Sequence, residues 1–134
     1  MKLFIDADAF VGTYIPQDAH YQKCLKLILK IHQSKAVVYT SNTSFYEAVT
    51  VISQKAGKDK AKLFLKKSLK GVKVIYIDSF LEAKAQQIFS RQTSKNVSFF
   101  DCINMAIMEK LKIKYIFSFD LHYKKNGFFR YGID

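Results

Sequence analysis

Proline is almost absent from this 134-residue chain, occurring once, at Pro16. With an apolar share of 49%, that scarcity argues against a disordered or linker-rich protein. The two cysteines, Cys24 and Cys102, form no CxxC and each falls in an apolar helical pattern. Neither a disulfide framework nor a zinc site is therefore expected; the thiols read as small buried hydrophobes of a reducing, cytoplasmic setting. No apolar run approaches membrane-spanning length, and the chain enters a strand-like segment at once, so neither a transmembrane helix nor a signal peptide is expected. Arginine occurs only at Arg91 and Arg130, which leaves 20 of the 22 basic residues as Lys. Acids are scarce as well, 11 Asp and Glu, and the formal net charge is +11.

Such a balance favours a polyanionic partner, because Lys and Arg release counterions from phosphates. A Lys-rich composition can also arise by drift, and Arg, the better bidentate reader of phosphate, is missing from most of the chain. Charge alone points towards nucleic acid without establishing it.

What is present is an alternation of short apolar runs with longer helical patterns, in a chain of one-domain length. Leu3-Phe4-Ile5 reads as a first strand. From Asp18 to about Ser34, Cys24, Leu27, Ile28 and Ile31 recur at the period of an amphipathic helix. Ala36 to Tyr39 reads as a second strand. Ser41 or Thr43 can cap a helix running through Glu47 to Ala56, with Gly57 as its stop. A lysine-rich helix over about Asp59 to Lys70, a strand over Val72 to Ile77 and a helix from Ser79 to about Arg91 follow. Ser98 opens a helix over Phe99 to Leu111, Tyr115 to Phe119 is a strand, and Phe128 and Phe129 suggest a short edge strand. Strands separated by long helices imply crossover connections and a mostly parallel sheet with helices on both faces.

On that plan the few acids fall together. Asp6 and Asp8 follow the first strand, Asp120 follows Tyr115 to Phe119, Asp101 sits in the first turn of its helix, and Glu47 lies in the first turns of another. All belong to the carboxyl edge of a parallel sheet, where such sheets bind ligands. Two carboxylates about 5 Å apart repel by roughly 3 kcal/mol at an effective dielectric near 20. A cluster of them takes up protons or holds a hard cation, and Mg²⁺ or Mn²⁺ suits an all-oxygen site. Taken singly, each acid has a structural reading too: Asp101 as the acid of a capping box behind Ser98, Asp120 as a turn residue. Glu47, flanked by Phe45, Tyr46, Ala48 and Val49, is expected to be half-buried.

The four segments that carry these acids resemble the motifs of the PIN domain family, in particular its small single-domain ribonucleases, the VapC-like toxins. FIDADAFVG resembles the opening motif. TSNTSFYEAV resembles the second, a Thr-Ser pair and then a Glu, VSFFDCINMAI the third, and FSFDLHYKKNGF the last. The resemblance covers essentially the whole chain and implies one nuclease domain over residues 1–134, a three-layer α/β/α sandwich around a mostly parallel sheet of about five strands. It also implies a divalent-metal-dependent endoribonuclease, often a homodimer restrained by an antitoxin. Asp6, Glu47, Asp101 and Asp120 would be catalytic and hold Mg²⁺ or Mn²⁺, with Asp8, Ser98 and Ser118 in support. Lys124 and Lys125 are candidate contacts to RNA phosphate, and His122 is expected to pack or hydrogen-bond and not to act as a base. Asp8 stands where the family usually has Asn or Ser, and Tyr123 where Phe is common.

Two other readings compete. A PIN-like scaffold could bind RNA or a protein partner without cutting. The Asp6-x-Asp8 pair also suggests a DxD-type phosphatase with Asp6 as nucleophile, although the later acidic pair of such enzymes is missing.

Overall fold

A computed structural model describes residues 1–134. Five strands form one sheet: β1 (Lys2–Ile5), β2 (Val37–Ser41), β3 (Val72–Ile75), β4 (Tyr115–Phe117) and β5 (Phe129–Arg130). Their order is β3-β2-β1-β4-β5, and every pairing is parallel. The helices are α1 (Ala7–Tyr14), α2 (Tyr21–Ser34), α3 (Asn42–Ala56), α4 (Lys58–Lys67), α5 (Ser79–Ser90), α6 (Phe99–Leu111) and α7 (Leu121–Lys125). No helix is long and apolar enough to cross a membrane.

The alternation of strand side chains separates two cores. Leu3 and Ile5 face the cluster formed by α1 to α4, whereas Phe4 faces the one formed by α5 and α6 with Tyr123 of α7. In the first core the ring of Phe64 on α4 meets Phe10, Tyr14 and Phe45 at centroid distances of 5.7, 5.3 and 5.3 Å. Helices on both faces produce the three-layer sandwich that the strand–helix alternation predicts.

Chain direction through the sheet reverses beside β1. The first three strands step outwards to β3, then α5 and α6 carry the chain back over the sheet to β4 on the other side of β1. Registers place Ile5 opposite Phe117, so the next residues, Asp6 and Ser118, emerge side by side. The Asp6 N–H donates to the Phe117 carbonyl at 3.1 Å and closes the pair.

Several boundaries differ from the sequence reading. Ala7–Tyr14 is helical although no helix is expected before Asp18. Ala7, Ala9, Phe10, Val11 and Gly12 are all buried, so α1 lacks the polar stripe that would reveal its period. The five-residue α7 is too short to show one. β2 runs on to Ser41, held where Thr40 Oγ1 donates to the Ile5 carbonyl at 2.8 Å. β3 stops at Ile75, opposite Ser41 where its only partner β2 ends, and the Ile77 N–H goes instead to Asn42 Oδ1 at 3.3 Å. β4 stops at Phe117 because Ser118 and Phe119 turn their donors to Asp8. The edge strand is Phe129–Arg130, one residue later than Phe128 and Phe129 suggest.

Candidate acidic metal centre

Asp6 is buried and serves as the N-cap of α1. Its Oδ1 accepts from the Ala7 N–H at 2.8 Å and from Asn104 Nδ2 at 3.2 Å, and its Oδ2 accepts from Ser118 Oγ at 3.0 Å. Asp8, one helical step on, shares the Ser118 hydroxyl at 3.3 Å and accepts from the Phe119 N–H at 2.9 Å, both through Oδ2. The other oxygen, Asp8 Oδ1, is buried and has no protein partner. Burying an acceptor unpaired costs of order 1–3 kcal/mol, so this atom is the place where an external partner would be most welcome.

Asp101 and Asp120 reach the same edge from α6 and the β4–α7 turn. Ser98 caps α6 through a complete capping box: its Oγ accepts from the Asp101 N–H at 3.1 Å, and Asp101 Oδ2 accepts from the Ser98 N–H at 3.0 Å. The capping role and a place in the cluster are therefore compatible, because Asp101 Oδ1 points inwards and accepts from Tyr123 Oη at 3.4 Å. Asp120 caps α7 through the His122 N–H at 2.9 Å, and His122 Nε2 lies 3.6 Å from its Oδ1. His122 thus bonds the acid through its backbone N–H, with its imidazole alongside.

The carboxylates act on one another electrostatically. Burial first, then Asp8 and Asp101, hold the Asp6 pKa well above its ordinary value. Burial lifts Asp8 to about 6, opposed by the Phe119 and Ser118 hydrogen bonds and aided by Asp120. Asp101 is raised by burial, against its Ser98 hydrogen bonds and with a contribution from Asp120. Glu47 is raised by partial desolvation and then by Asp101. Yet Glu47 is exposed, unlike the half-buried side chain expected. Phe45 and Ala48 take the core-facing positions of α3 and leave Tyr46 and Glu47 on its outer side.

As the side chains stand, no three His, Cys, Asp or Glu residues close into a ready group of ligands. Asp6, Asp8 and Asp101 spend oxygens on protein donors, which lowers the cost of keeping like charges together. Lys124 Nζ lies 3.8 Å from Asp134, and Lys125 is exposed.

Three residues of the site were not singled out as such from the sequence. Asn104 is buried on α6 three residues after Asp101, where its amide touches Asp6, Tyr123, Ser41 and Ser44. A lone Asn among apolar neighbours in DCINMAI was the available signal. Tyr123, noted only as a replacement for Phe, places its hydroxyl inside the cluster. Arg130 donates from Nη1 to the Phe119 carbonyl at 3.0 Å and grips Asp134 through Nε and Nη2. Nothing in the sequence around Arg130 marks it as close to Asp8 and Asp120. His20 stacks on the Phe119 ring at 3.9 Å, so this short turn is held through its N–H, its carbonyl and its ring.

An acidic cluster at the reversal of a parallel sheet is the arrangement that the four sequence motifs anticipate. Residues 3–128 match the PIN domain family. The chain belongs to that family. Among solved structures, this PIN domain is similar to VapC20 of Mycobacterium tuberculosis, described as a toxin that cleaves the sarcin-ricin loop. The TM-score is 0.83, identity is 24%, and the match covers 95% of this chain and 96% of that one. It is also similar to FitAcB from Neisseria gonorrhoeae, with a TM-score of 0.72, 15% identity and 96% of each chain covered. At those identities the likeness establishes the shared fold. No curated protein matches this PIN domain by sequence.

Proposed function

We propose that this PIN domain is a divalent-metal-dependent endoribonuclease and the toxin of a toxin–antitoxin pair. The observation that carries the reading is one acidic edge: Asp6 and Asp8 share the Ser118 hydroxyl, Asp101 and Asp120 act on them electrostatically, and Asp8 Oδ1 is buried without a protein partner. Membership of the PIN family and the likeness in fold to VapC20 support it.

The donor set fits a hard cation: it consists of carboxylate oxygens with Ser118 beside them, and the nearby imidazole of His122 lies against Asp120. Asp6, Asp101 and Asp120 would hold Mg²⁺ or Mn²⁺, with Asp8 adjoining and Glu47, exposed on α3 but within electrostatic reach of Asp101, completing the set by turning towards them. When bound, such an ion activates water and stabilises the leaving oxygen of a phosphodiester. Ser118 fixes the spacing of Asp6 and Asp8 with a single hydroxyl. Ser98 fixes Asp101 against the first turn of α6. Lys125 and the lysines of α4 gather the polyanion, and RNA is its chemistry on this reading. A homodimer and an antitoxin that covers the acidic edge complete the proposal. Light scattering and co-purification with the product of an adjacent gene check both.

Short RNAs incubated with Mn²⁺ or Mg²⁺, with and without chelator, provide the direct test. Cleavage that needs the metal and is lost by about a hundredfold or more in Asp101→Asn is expected. An Asp101→Asn protein that cuts like wild type would remove the reading. The scaffold alternative draws on the absence of a preassembled ligand group, and RNA binding that survives chelation without any product would favour it. The phosphatase alternative lacks the later acidic pair that such enzymes carry, and only an acyl-phosphate trapped on Asp6 would favour it.

A further inference from the structure

One buried hydrogen-bond chain leads from the N-cap of α3 to the acids. Ser41 Oγ accepts from the Ser44 N–H at 2.9 Å and from Thr43 Oγ1 at 3.1 Å. Both acceptor directions of that hydroxyl are used, so its own proton must go to the remaining neighbour, Asn104 Oδ1, at 2.8 Å. Ser44 Oγ donates to the same Oδ1 at 2.9 Å. The Asn104 oxygen therefore faces α3, and its two N–H groups face the acids: one donates to Asp6 Oδ1 at 3.2 Å and one to Tyr123 Oη at 3.0 Å. Having accepted there, Tyr123 has one proton left, and Asp101 Oδ1 takes it at 3.4 Å. All four hydrogen-bonding positions of the Asn104 amide are filled, and Asn104, Ser41, Ser44 and Tyr123 are all buried.

We infer that Asn104 and Tyr123 are positioning residues of the acidic site, a one-way chain from the α3 N-cap that holds Asp6 and Asp101 in fixed orientation. The chain joins β1, α3, α6 and α7, the elements that carry or adjoin all four proposed ligands. An amide is suited to the centre because it alone offers two acceptor and two donor directions in a rigid plane. A Leu of similar size fills the space and supplies neither. Tyr123 in place of Phe follows from the same logic: its hydroxyl is the link that carries the polarity on to Asp101. Satisfied buried networks of this kind fix a single arrangement, and partners behind metal ligands commonly tune affinity 10- to 100-fold. The consequence for metal affinity rests on the nuclease reading, whereas the hydrogen-bond chain itself does not.

Two measurements test the inference, and they fail separately. In metal-free, ¹⁵N-labelled protein the Asn104 side-chain amide protons should exchange slowly and shift in Tyr123→Phe; exchange at the rate of a free amide would overturn the chain whatever the protein binds. By calorimetric titration with Mn²⁺, Asn104→Leu should weaken binding about tenfold or more, Tyr123→Phe about threefold, and Ser44→Ala less than Tyr123→Phe. Because Asn104 and Tyr123 act through one chain, the double variant should bind no more than about twofold worse than Asn104→Leu alone. Natively folded Asn104→Leu that binds within twofold of wild type, or single effects that multiply, would overturn the positioning role. Should Asn104→Leu fail to fold, natively folded Tyr123→Phe must weaken Mn²⁺ binding; unchanged affinity there overturns the role. If wild type takes up no Mn²⁺, the nuclease reading falls, while amide exchange still decides the chain.

Discussion

Asp6 and Asp8 are two residues apart and share one serine hydroxyl, yet their surroundings divide the work between them. Both oxygens of Asp6 are occupied by protein donors, whereas Asp8 keeps one buried oxygen without any. A residue that merely supported the turn would be satisfied by its bonds to Ser118 and Phe119. The spare oxygen makes Asp8 a candidate ligand in a position where the family commonly has a neutral side chain. Asp8→Asn and Asp6→Asn are therefore expected to weaken Mn²⁺ binding to a similar extent, about tenfold or more each, by calorimetric titration. A loss below twofold at Asp8 would place it outside the ligand set. The acids were legible because a carboxylate after a buried strand is chemically conspicuous. Asn104 was not, since its value comes from four partners distant in sequence, and Arg130 reaches the site only through the backbone of Phe119.

At the scale of elements, the strands and amphipathic helices were legible because one buried face leaves a periodic trace. The α1 helix left none, although it carries Asp8 and starts at Asp6. It lies so close to α2 that a Cβ on Gly12 would stand 2.7 Å from Cys24 Sγ. Gly12→Ala consequently forces the two helices apart at the point where the first is anchored. A loss of about 1–3 kcal/mol is expected in urea unfolding, the usual cost of overpacking. Mn²⁺ affinity should fall with it, because Asp8 moves with α1. A Gly12→Ala protein as stable as wild type would show that α2 yields freely and that this contact does not set the site. The ends of β3 and β4 differ from the apolar pattern because their donors find other partners: Ser118 and Phe119 turn towards Asp8 and end β4, while β3 runs out of partner at Ser41 and the Ile77 N–H goes to Asn42.

For the whole molecule, the cluster reverses the usual effect of pH on carboxylates. The pKa values of Asp6, Asp8, Asp101 and Glu47 are all raised, by burial first, with neighbouring carboxylates adding to it. A group with a raised folded pKa holds its proton more tightly when folded. Its stabilisation is therefore present below the unfolded pKa and lost as pH rises through the folded one. For Asp8, raised from 3.8 to about 6, the window runs from about pH 4 to 6 and the loss is on the order of 3 kcal/mol. Asp134 has the opposite sign: its Arg130 hydrogen bonds lower it to about 2, so its contribution disappears only below that window. General repulsion among the lysines strengthens on acidification and opposes the trend, which makes the difference from Asp8→Asn the useful quantity. By calorimetry without metal, wild type should lose stability relative to Asp8→Asn between pH 4 and 6.5. Millimolar Mn²⁺ should recover most of that loss, and recover more at the upper end, because the ion competes with protons for the same oxygens. Parallel curves for the two proteins, or an Mn²⁺ effect independent of pH, would mean that the acidic edge is not a coupled site.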